Sequence, residues 1–258
     1  MAQQISKSLE AQYKFPRLLH IHLKIKLRNL TLKFRSLKKR FKIKKYTNSK
    51  YNPNINFDLK CPKKSLITNG WAFVNTFWTD DFYRDLLKFY PSSIYFEPLK
   101  FPTKSYDIGF VFKNTIDNEE TNQNLDLFPA YKKAYEFLKS KKMCDIIQSI
   151  SNSKKEYQCE HLIMTKAYWG SSVIPHVDSL NDEGSINLII FVKSSLGMNS
   201  GNLGIWRDNE FKEPIFIPKN LNNSMIMYDM SKNFFHGFPP MGFNKNRLTI
   251  NAKYSIKI

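Results

Sequence analysis

The sequence predicts an α+β protein that is mainly β, in which helices precede a jelly roll or barrel. From about residue 161 onward, short β-prone runs alternate with turns rich in glycine and asparagine, as is typical of antiparallel rolls. Between about 127 and 150, apolar residues recur every three or four positions, the spacing of a helix's buried face. The N-terminal part is strongly basic instead. We therefore expect a basic arm with a linker at residues 1–64 and one folded domain at residues 65–258.

The predicted elements of the domain run from an opening strand and helix to the roll. A helix start is indicated by Thr79-Asp80-Asp81, because a capping hydroxyl and acidic residues favour the positive end of a helix. In chain order, we expect a strand at 71–77, a helix at 79–90, short strands and a loop at 92–125, helices at 127–141 and 144–150, and strands at His161–Trp169, Ser185–Val192, Leu203–Trp206, Pro214–Ile217, Ser224–Tyr228, Phe234–Phe238 and Arg247–Ile256.

The net charge of +18 belongs mostly to the N-terminal arm. Residues 11–57 contain 14 Lys or Arg and no Asp or Glu, which leaves 26 basic and 22 acidic residues elsewhere. Apolar residues between Leu19 and Phe41 recur at helical spacing among these cations, while the alternation of Ile21, Leu23, Ile25 and Leu27 leaves a strand as the alternative there. Such an arm, at residues 17–45, suits an anionic membrane surface, the phosphates of nucleic acid, or packing on the domain with its charges solvated. Residues 47–64, rich in Asn, Lys and Pro, predict a linker.

The cysteine content and the hydropathy pattern predict a cytoplasmic protein, with peripheral attachment to a membrane as a further option through the arm. Three cysteines, odd in number and widely spaced, do not form a disulfide framework, which favours a reducing compartment. The longest apolar run, Leu188–Val192, is far shorter than the ~20 residues that a membrane span needs. Lys and Arg interrupt the N-terminal segment throughout, unlike a signal peptide.

Four residues in the C-terminal half predict a metal site that also holds an organic acid. His176 and Asp178 follow the first run of the roll, and residues i and i+2 of an extended segment point to the same side. His236 comes 58 residues after Asp178, and Arg247 opens the last run. Two imidazoles and one carboxylate can occupy one face of a ferrous ion and leave the other positions open. A guanidinium matches a carboxylate at two points.

Other interpretations of these residues stay open at this point. A His-x-Asp triplet alone is a weak signal, because its chance occurrence at this composition is about one in four. A zinc hydrolase could use the same three ligands, although it would not require Arg247, and no general base is apparent nearby. A non-catalytic jelly-roll module, of carbohydrate-binding type and tethered by the basic arm, is the main alternative. Aromatic residues that could stack on a ring in such a module are Trp169, Trp206, Phe211 and Phe238.

Residues 161–256 resemble the iron- and 2-oxoglutarate-dependent dioxygenases, particularly their prolyl 4-hydroxylase-like branch. The matching segments are KAYWGSSVIPHVDS (166–179), SINLIIFVK (185–193), SGNLGIWRD (200–208), NNSMIMYD (222–229) and FFHGFPPMGFNKNRLTINAKYSI (234–256). The opening strand and helix at 71–90 and the helices at 127–150 also suit that family. The resemblance implies a double-stranded β-helix, the cupin-like form of the jelly roll.

The resemblance also implies the reaction and the main site residues. His176, Asp178 and His236 would bind Fe(II), and Arg247 would bind the distal carboxylate of 2-oxoglutarate. An unidentified C–H bond, in a prolyl residue, an amino acid or a glycan, would be hydroxylated with O₂, with release of succinate and CO₂. Ascorbate is a further expected cofactor. Asp178 favours hydroxylation over halogenation, because related halogenases leave that position for a halide.

Further residues are implied to line the co-substrate pocket. Tyr168 stands where a tyrosine often helps to hold 2-oxoglutarate. Thr249 and Asn251 share the strand face of Arg247 and are expected to line the same pocket. The nucleic-acid demethylases of the family carry a second arginine on the last strand, where this chain has Lys253. A demethylase activity is therefore disfavoured.

Overall fold

The computed structural model describes residues 49–91, 96–98, 110–112, 125–168, 171–178, 184–195, 201–232 and 235–257. All of these residues belong to one compact unit, Tyr46–Ile258. The predicted amphipathic segment at 19–41 lies outside the described residues, so its contacts with membranes or nucleic acid stay predictions. Each helix among the described residues is too short or too polar to cross a bilayer.

Short helices alternate with strands before an all-β second half. The described helices are α1 (Lys60–Asn69), α2 (Asp80–Lys88), α3 (Pro129–Lys139) and α4 (Lys141–Ser151). The described strands are β1 (Trp71–Val74), β2 (Phe96–Pro98), β3 (Phe110–Phe112), β4 (Tyr157–Tyr168), β5 (Val173–His176), β6 (Ile186–Ser194), β7 (Gly204–Trp206), β8 (Pro214–Phe216), β9 (Ser224–Asp229), β10 (Phe235–Phe238) and β11 (Asn246–Ile256). The predicted α+β class, mainly β with helices ahead of a roll, is confirmed.

The strands form two antiparallel sheets. The major sheet has the order β1-β9-β6-β11-β4-β3-β2, and the minor sheet has the order β5-β10-β7-β8. β11 lies at the centre of the major sheet and pairs along its length with β4 on one side and β6 on the other. Strands that are distant in sequence are therefore neighbours in each sheet, which is the arrangement of a double-stranded β-helix.

The central strand β11 separates two cores because its successive side chains point to opposite faces. Leu248, Ile250 and Ala252 are fully buried in the core that lies under the helices. Arg247 and Thr249 are buried on the other face. That face belongs to the space between the two sheets, where Phe191, Tyr228 and Phe238 pack together. The polar residues predicted for the site therefore share the inter-sheet face of the major sheet.

Helices α3 and α4 cover the opposite face of the major sheet, as the sequence predicted. Leu138 and Met143 are fully buried in the helix-facing core, and burial of each such side chain stabilises the fold by about 1.5–3 kcal/mol. Tyr254 of β11 donates a hydrogen bond to the Leu138 carbonyl at 2.7 Å. Ser140 caps α4 by accepting a hydrogen bond from the Met143 amide at 3.3 Å. The helices thereby hold the major sheet at a fixed position behind the site.

The segment predicted as a linker is part of the fold from Ser49 onward. The Ser49 hydroxyl is buried and donates to Asp85 Oδ2 of α2 at 2.8 Å. The Asn56 amide donates to the Phe77 carbonyl at 2.8 Å. Residues 60–69 form α1, whose Leu66 is buried in the helix-facing core. The polar composition predicts a linker here, and polar groups at Ser49 and Asn56 have hydrogen-bond partners in the domain.

β5 is a strand that the sequence pattern did not predict. It contains Pro175, which lacks an N–H and argues against a strand in the interior of a sheet. The strand order places β5 at the edge of the minor sheet, where a proline is tolerated because one side of the strand needs no donor. The extended segment expected around His176 is thus a paired edge strand.

Replacing Asp85 is expected to loosen the N-terminal segment from the domain. Asp85 is buried and its Oδ2 accepts hydrogen bonds from the Ser49 hydroxyl and the Lys50 amide at 2.8 and 3.1 Å. Asp85→Ala leaves these donors without their acceptor and should lower the free energy of unfolding by about 1–3 kcal/mol. Asp145→Ala, which removes an exposed i,i+4 pair with Lys141, is the control and should lower it by at most about 0.5 kcal/mol. Urea denaturation measures both, and equal losses would contradict this role.

Candidate metal centre

The structure brings the three predicted metal ligands together. His176 of β5 lies opposite His236 of β10 in the antiparallel register of the minor sheet, with ring centroids 4.4 Å apart. Asp178 follows two residues after His176, and its Oδ1 lies 3.5 Å from His176 Nε2 and 3.7 Å from His236 Nε2. The three potential ligand atoms lie within 4.8 Å of one another. Two nitrogen donors and one oxygen donor thus converge on one point.

Gly237 permits the close approach of the two strands that carry the histidines. A Cβ atom at this position would lie 2.5 Å from the Val173 carbonyl oxygen and 2.8 Å from the Pro175 nitrogen. Both are backbone atoms of β5, so neither can move aside without displacing the strand. The absence of a side chain at Gly237 therefore keeps β5 against β10, and this contact sets the separation of His176 and His236.

The hydrogen bond at the back of His176 determines which ring nitrogen faces the centre. His176 Nδ1 lies 2.9 Å from the Ile174 carbonyl oxygen. A carbonyl oxygen can only accept, so Nδ1 carries a proton, and Nε2 is the nitrogen that donates to Asp178 while the ring is charged and presents a lone pair once the ring is neutral. This is the tautomer that a metal ligand requires, since a metal binds the unprotonated nitrogen.

The charges of the cluster favour an ionised Asp178 and a neutral His236. Burial alone would raise the pKa of Asp178, but a hydrogen bond from protonated His176, the charge that His236 carries when it is protonated at low pH, and a hydrogen bond from Tyr228 hold this pKa well below its usual value. Burial, against the opposing effect of Asp178 and with a further contribution from His176, lowers the pKa of His236 to about 4. Burial also lowers the pKa of His176, but the hydrogen bonds to Asp178 and Ile174 outweigh it, and that pKa is raised.

Tyr228 and Asn187 complete the cluster, and neither was predicted from the sequence as a site residue. The Tyr228 hydroxyl donates to Asp178 Oδ2 at 2.7 Å and lies 3.1 Å from His236 Nε2. The Asn187 amide donates to the Tyr228 oxygen at 2.6 Å. A signal was present, because Tyr228 carries a polar hydroxyl at the end of the largely apolar run Met225–Met227. A buried phenol usually has a hydrogen-bond partner.

Arg247 is buried in the space between the sheets, next to the strand that carries His236. Its guanidinium carbon lies 3.8 Å from the centroid of the Phe238 ring and 5.6 Å from that of Phe191. It donates a hydrogen bond to the Gly201 carbonyl. Phe238 is two residues from His236 on β10. The buried cation therefore packs against the strand that carries His236.

The other residues predicted for the co-substrate pocket lie on the central strand β11 and at the end of β4. Thr249 is buried two residues beyond Arg247, and its hydroxyl lies 2.6 Å from that of Thr165 on β4. Asn251 lies two residues further, and its side-chain oxygen is buried without a hydrogen-bond partner among the described residues. Tyr168 ends β4 opposite Asn246, and its side chain lies outside the described part of the structure.

The aromatic residues of the alternative interpretation do not form an exposed platform where they are described. Trp206 and Phe238 are buried between the sheets, and Phe211 packs edge-on against Trp206 at 5.1 Å between ring centroids. Trp169 lies outside the described residues. The burial and ring contacts of the described aromatics give them a packing role.

Lys253 on the last strand contacts Glu160 at 3.1 Å.

The residues of the cluster fit a divalent transition metal. Two unprotonated imidazole nitrogens and a carboxylate oxygen form the donor set that is typical of non-haem Fe(II) sites. His176 has its outer nitrogen satisfied by a backbone carbonyl, as metal-bound histidines commonly do. His236 differs, because its Nδ1 is buried without a hydrogen-bond partner among the described residues.

Comparison with known proteins supports the fold. No family model matches the chain, and no curated protein matches it in sequence. A 2OG-Fe(II) oxygenase family oxidoreductase from Burkholderia pseudomallei superimposes with a TM-score of 0.55 at 13% identity, over 81% of this chain and 96% of that chain. A Pseudomonas putida prolyl-4-hydroxylase superimposes with a TM-score of 0.52 at 12% identity, over 78% and 100%. The non-heme alpha ketoglutarate dependent epimerase SnoN, from nogalamycin biosynthesis, superimposes with a TM-score of 0.55 at 7% identity, over 77% and 80%.

These identities show the fold and not the chemistry. The chain has the double-stranded β-helix of the 2-oxoglutarate and Fe(II) oxygenases, as the resemblance implied. The similar structures include a prolyl hydroxylase and an epimerase, so the fold alone does not determine which bond is changed.

The pH dependence of metal binding should follow His176 rather than His236. The pKa of His176 is raised above its ordinary value of 6.5, whereas that of His236 is lowered to about 4. At pH values below the pKa of His176, a metal must displace the proton of that ring. The affinity for the metal should therefore fall about tenfold for each unit by which the pH decreases. A second proton should enter only near the pKa of His236. Calorimetric titration with Co²⁺ between about pH 5 and 8 measures the slope, and a two-proton slope across this range would contradict the assignment.

Proposed function

We propose that this chain is an Fe(II)- and 2-oxoglutarate-dependent dioxygenase that hydroxylates a C–H bond and releases succinate and CO₂. The observation that carries the proposal is the convergence of His176, Asp178 and His236, on a fold where the buried guanidinium of Arg247 packs against Phe238 of the strand that carries His236. The fold supports it, because the structures that share this fold include a 2OG-Fe(II) oxygenase family oxidoreductase and a prolyl-4-hydroxylase. Neither a zinc hydrolase nor a simple binding module needs a buried cation at this place.

The proposed ligands can hold Fe(II) without a large rearrangement. His176 and His236 each present Nε2, and Asp178 presents Oδ1. When bound there, Fe(II) would supply the activation of O₂ at the positions that the three ligands leave open. The chain contributes orientation and charge: the Ile174 carbonyl fixes the ring of His176, and Asp178 lowers the net charge of the centre.

Arg247 is proposed to bind the distal carboxylate of 2-oxoglutarate. Its guanidinium cannot be deprotonated in a protein and offers five N–H donors in a planar arrangement that matches a carboxylate. The rings of Phe191 and Phe238 exclude water from it, which strengthens its attraction for an anion. The Thr249 hydroxyl, on the same face of β11, is proposed as a further donor. The aromatic walls and the cation together orient the dicarboxylate.

Hydroxylation is proposed as the reaction type because Asp178 occupies the third ligand position and leaves no place for a halide. The prolyl-4-hydroxylase among the similar structures supports this choice. The proposed substrate is a prolyl residue, an amino acid or a glycan. Ascorbate is proposed as the reductant that restores iron after turnover without substrate. The enzyme is proposed to be cytoplasmic.

Removal of the first histidine tests the metal centre. Anaerobic titration of the protein with Fe²⁺ and 2-oxoglutarate should produce a weak visible charge-transfer band, and admission of O₂ should yield succinate. His176→Ala removes one of three ligands and should abolish both the band and succinate formation. His161→Ala, on β4 and outside the cluster, is the matched control and should retain both. If His176→Ala formed succinate like the wild type, the proposed centre would be wrong.

Replacement of Arg247 tests the co-substrate site separately from the metal. Arg247→Ala should weaken 2-oxoglutarate binding by about 2–5 kcal/mol, which is at least about 30-fold in KM, because truncation leaves the carboxylate without its cation. The affinity for Co²⁺ should stay within about twofold, since Arg247 is not a proposed ligand. Arg207→Ala, an exposed arginine, provides the control. An unchanged KM for 2-oxoglutarate in Arg247→Ala would contradict the proposed role.

A further inference from the structure

The Tyr228 hydroxyl lies at the centre of a hydrogen-bonded group that the proposed function does not use. Tyr228 is on β9 and its side chain is almost completely buried. Its oxygen is 2.6 Å from the Asn187 amide nitrogen, 2.7 Å from Asp178 Oδ2 and 3.1 Å from His236 Nε2. One buried phenol therefore touches two of the three proposed metal ligands, and a side chain from the adjacent strand β6 holds it from behind.

The chemistry of these partners sets the direction of the hydrogen bonds. The amide nitrogen of Asn187 only donates, so the Tyr228 oxygen accepts from it. Tyr228 then has a single proton to give, and the candidates are Asp178 and His236. A metal on His236 Nε2 would use the lone pair of that nitrogen, which leaves Asp178 Oδ2 as the acceptor. The chain of donation runs from Asn187 to Tyr228 to Asp178.

We propose that Tyr228, held by Asn187, is a positioning residue that orients the carboxylate of Asp178 toward the metal. The two oxygens of Asp178 have different partners: Oδ2 accepts from Tyr228 at 2.7 Å, while Oδ1 lies 3.5 and 3.7 Å from the two Nε2 atoms. The inference rests on the proposed metal site, but it assigns residues that no part of the proposed function requires.

The position of Asp178 explains why it needs such support. His176 and His236 are paired across β5 and β10, so backbone hydrogen bonds of the minor sheet determine where they lie. Asp178 lies two residues beyond the end of β5, where no strand pairing holds it. Its carboxylate is oriented by its hydrogen bonds instead, and the bond from Tyr228 to Oδ2 is the shortest of its described contacts.

The hydrogen bond from Tyr228 to Asp178 Oδ2 limits the number of metal positions that this carboxylate can occupy. An aspartate that is free to rotate can bind a cation through both oxygens and occupy two of its positions. With Oδ2 engaged by Tyr228, only Oδ1 is directed at the metal. The three protein ligands then occupy three positions, and the remaining positions stay open for the keto acid and O₂.

The test compares two tyrosine-to-phenylalanine variants by their affinity for Co²⁺, which does not react with O₂ in the way Fe²⁺ does. Tyr228→Phe should bind Co²⁺ about 10–100-fold more weakly, as is usual when a residue that orients a metal ligand is removed. Its visible Co²⁺ spectrum should also change, because Asp178 would be free to bind through both oxygens. Calorimetry and absorption spectroscopy give the two results.

Tyr254→Phe is the matched control. Tyr254 is fully buried like Tyr228, but it lies on the helix-facing side of the sheet. The Tyr254→Phe variant loses one hydrogen bond, the one that the hydroxyl donates to the Leu138 carbonyl. Its Co²⁺ affinity and spectrum should equal those of the wild type, while thermal unfolding reports the loss of stability in both variants. Equal Co²⁺ affinity of Tyr228→Phe and the wild type would overturn the proposal.

A double-mutant cycle with Asn187→Leu separates the proposed relay from a general effect on folding. Asn187→Leu should weaken Co²⁺ binding in the wild type but have no further effect in Tyr228→Phe, because Asn187 acts through the hydroxyl. Additive effects of the two substitutions would overturn the proposal that Asn187 acts through Tyr228. An intense phenolate-to-iron band in the Fe³⁺-loaded wild type, absent from Tyr228→Phe, would also overturn it, because Tyr228 would then bind the metal itself. Failure of the wild type itself to bind Co²⁺ or Fe²⁺ would instead refute the proposed metal site, and the inference with it.

Discussion

The contact between β5 and β10 is the constraint on which the candidate site depends. It places His176 opposite His236, and it exists because Gly237 lets the backbone of one strand approach that of the other. Pro175 is compatible with this contact, since the outer edge of β5 needs no donor. A pair of backbone features, a missing side chain and an edge proline, therefore determines the separation of two imidazoles that lie sixty residues apart in the chain.

The major sheet supports this contact from behind by carrying different residues on its two faces. Apolar residues of β11 face the helices, and Arg247 and Thr249 face the minor sheet. The helix-facing core makes the sheet rigid, so that buried polar groups on the other face are held at fixed positions. Such groups are expensive to bury unless they have partners. Arg247 is accommodated by aromatic rings and a backbone carbonyl, and Asp178 by two imidazoles and a phenol.

The electrostatics of the cluster favour a bound cation. Asp178 stays ionised because its neighbours stabilise the anion, and His236 stays neutral because burial disfavours its charged form. Both are the protonation states in which these side chains bind metals. Tyr228 joins the two groups through one hydroxyl. The same hydrogen bonds that make the buried carboxylate tolerable thus also determine which of its oxygens is presented to the centre.

The sequence by itself determined the alternation of strands and turns, the helices behind the sheet, and the His-x-Asp, His and Arg residues, because these follow from local spacing and residue chemistry. Only the tertiary structure decided that β5 pairs with β10, that residues 49–64 join the domain, and that Tyr228 and Asn187 reach Asp178. The physical reason is that strand pairing and hydrogen bonding between distant residues depend on which strands become neighbours. Tyr228 lies 50 residues from Asp178 in the chain, and no local pattern records that contact.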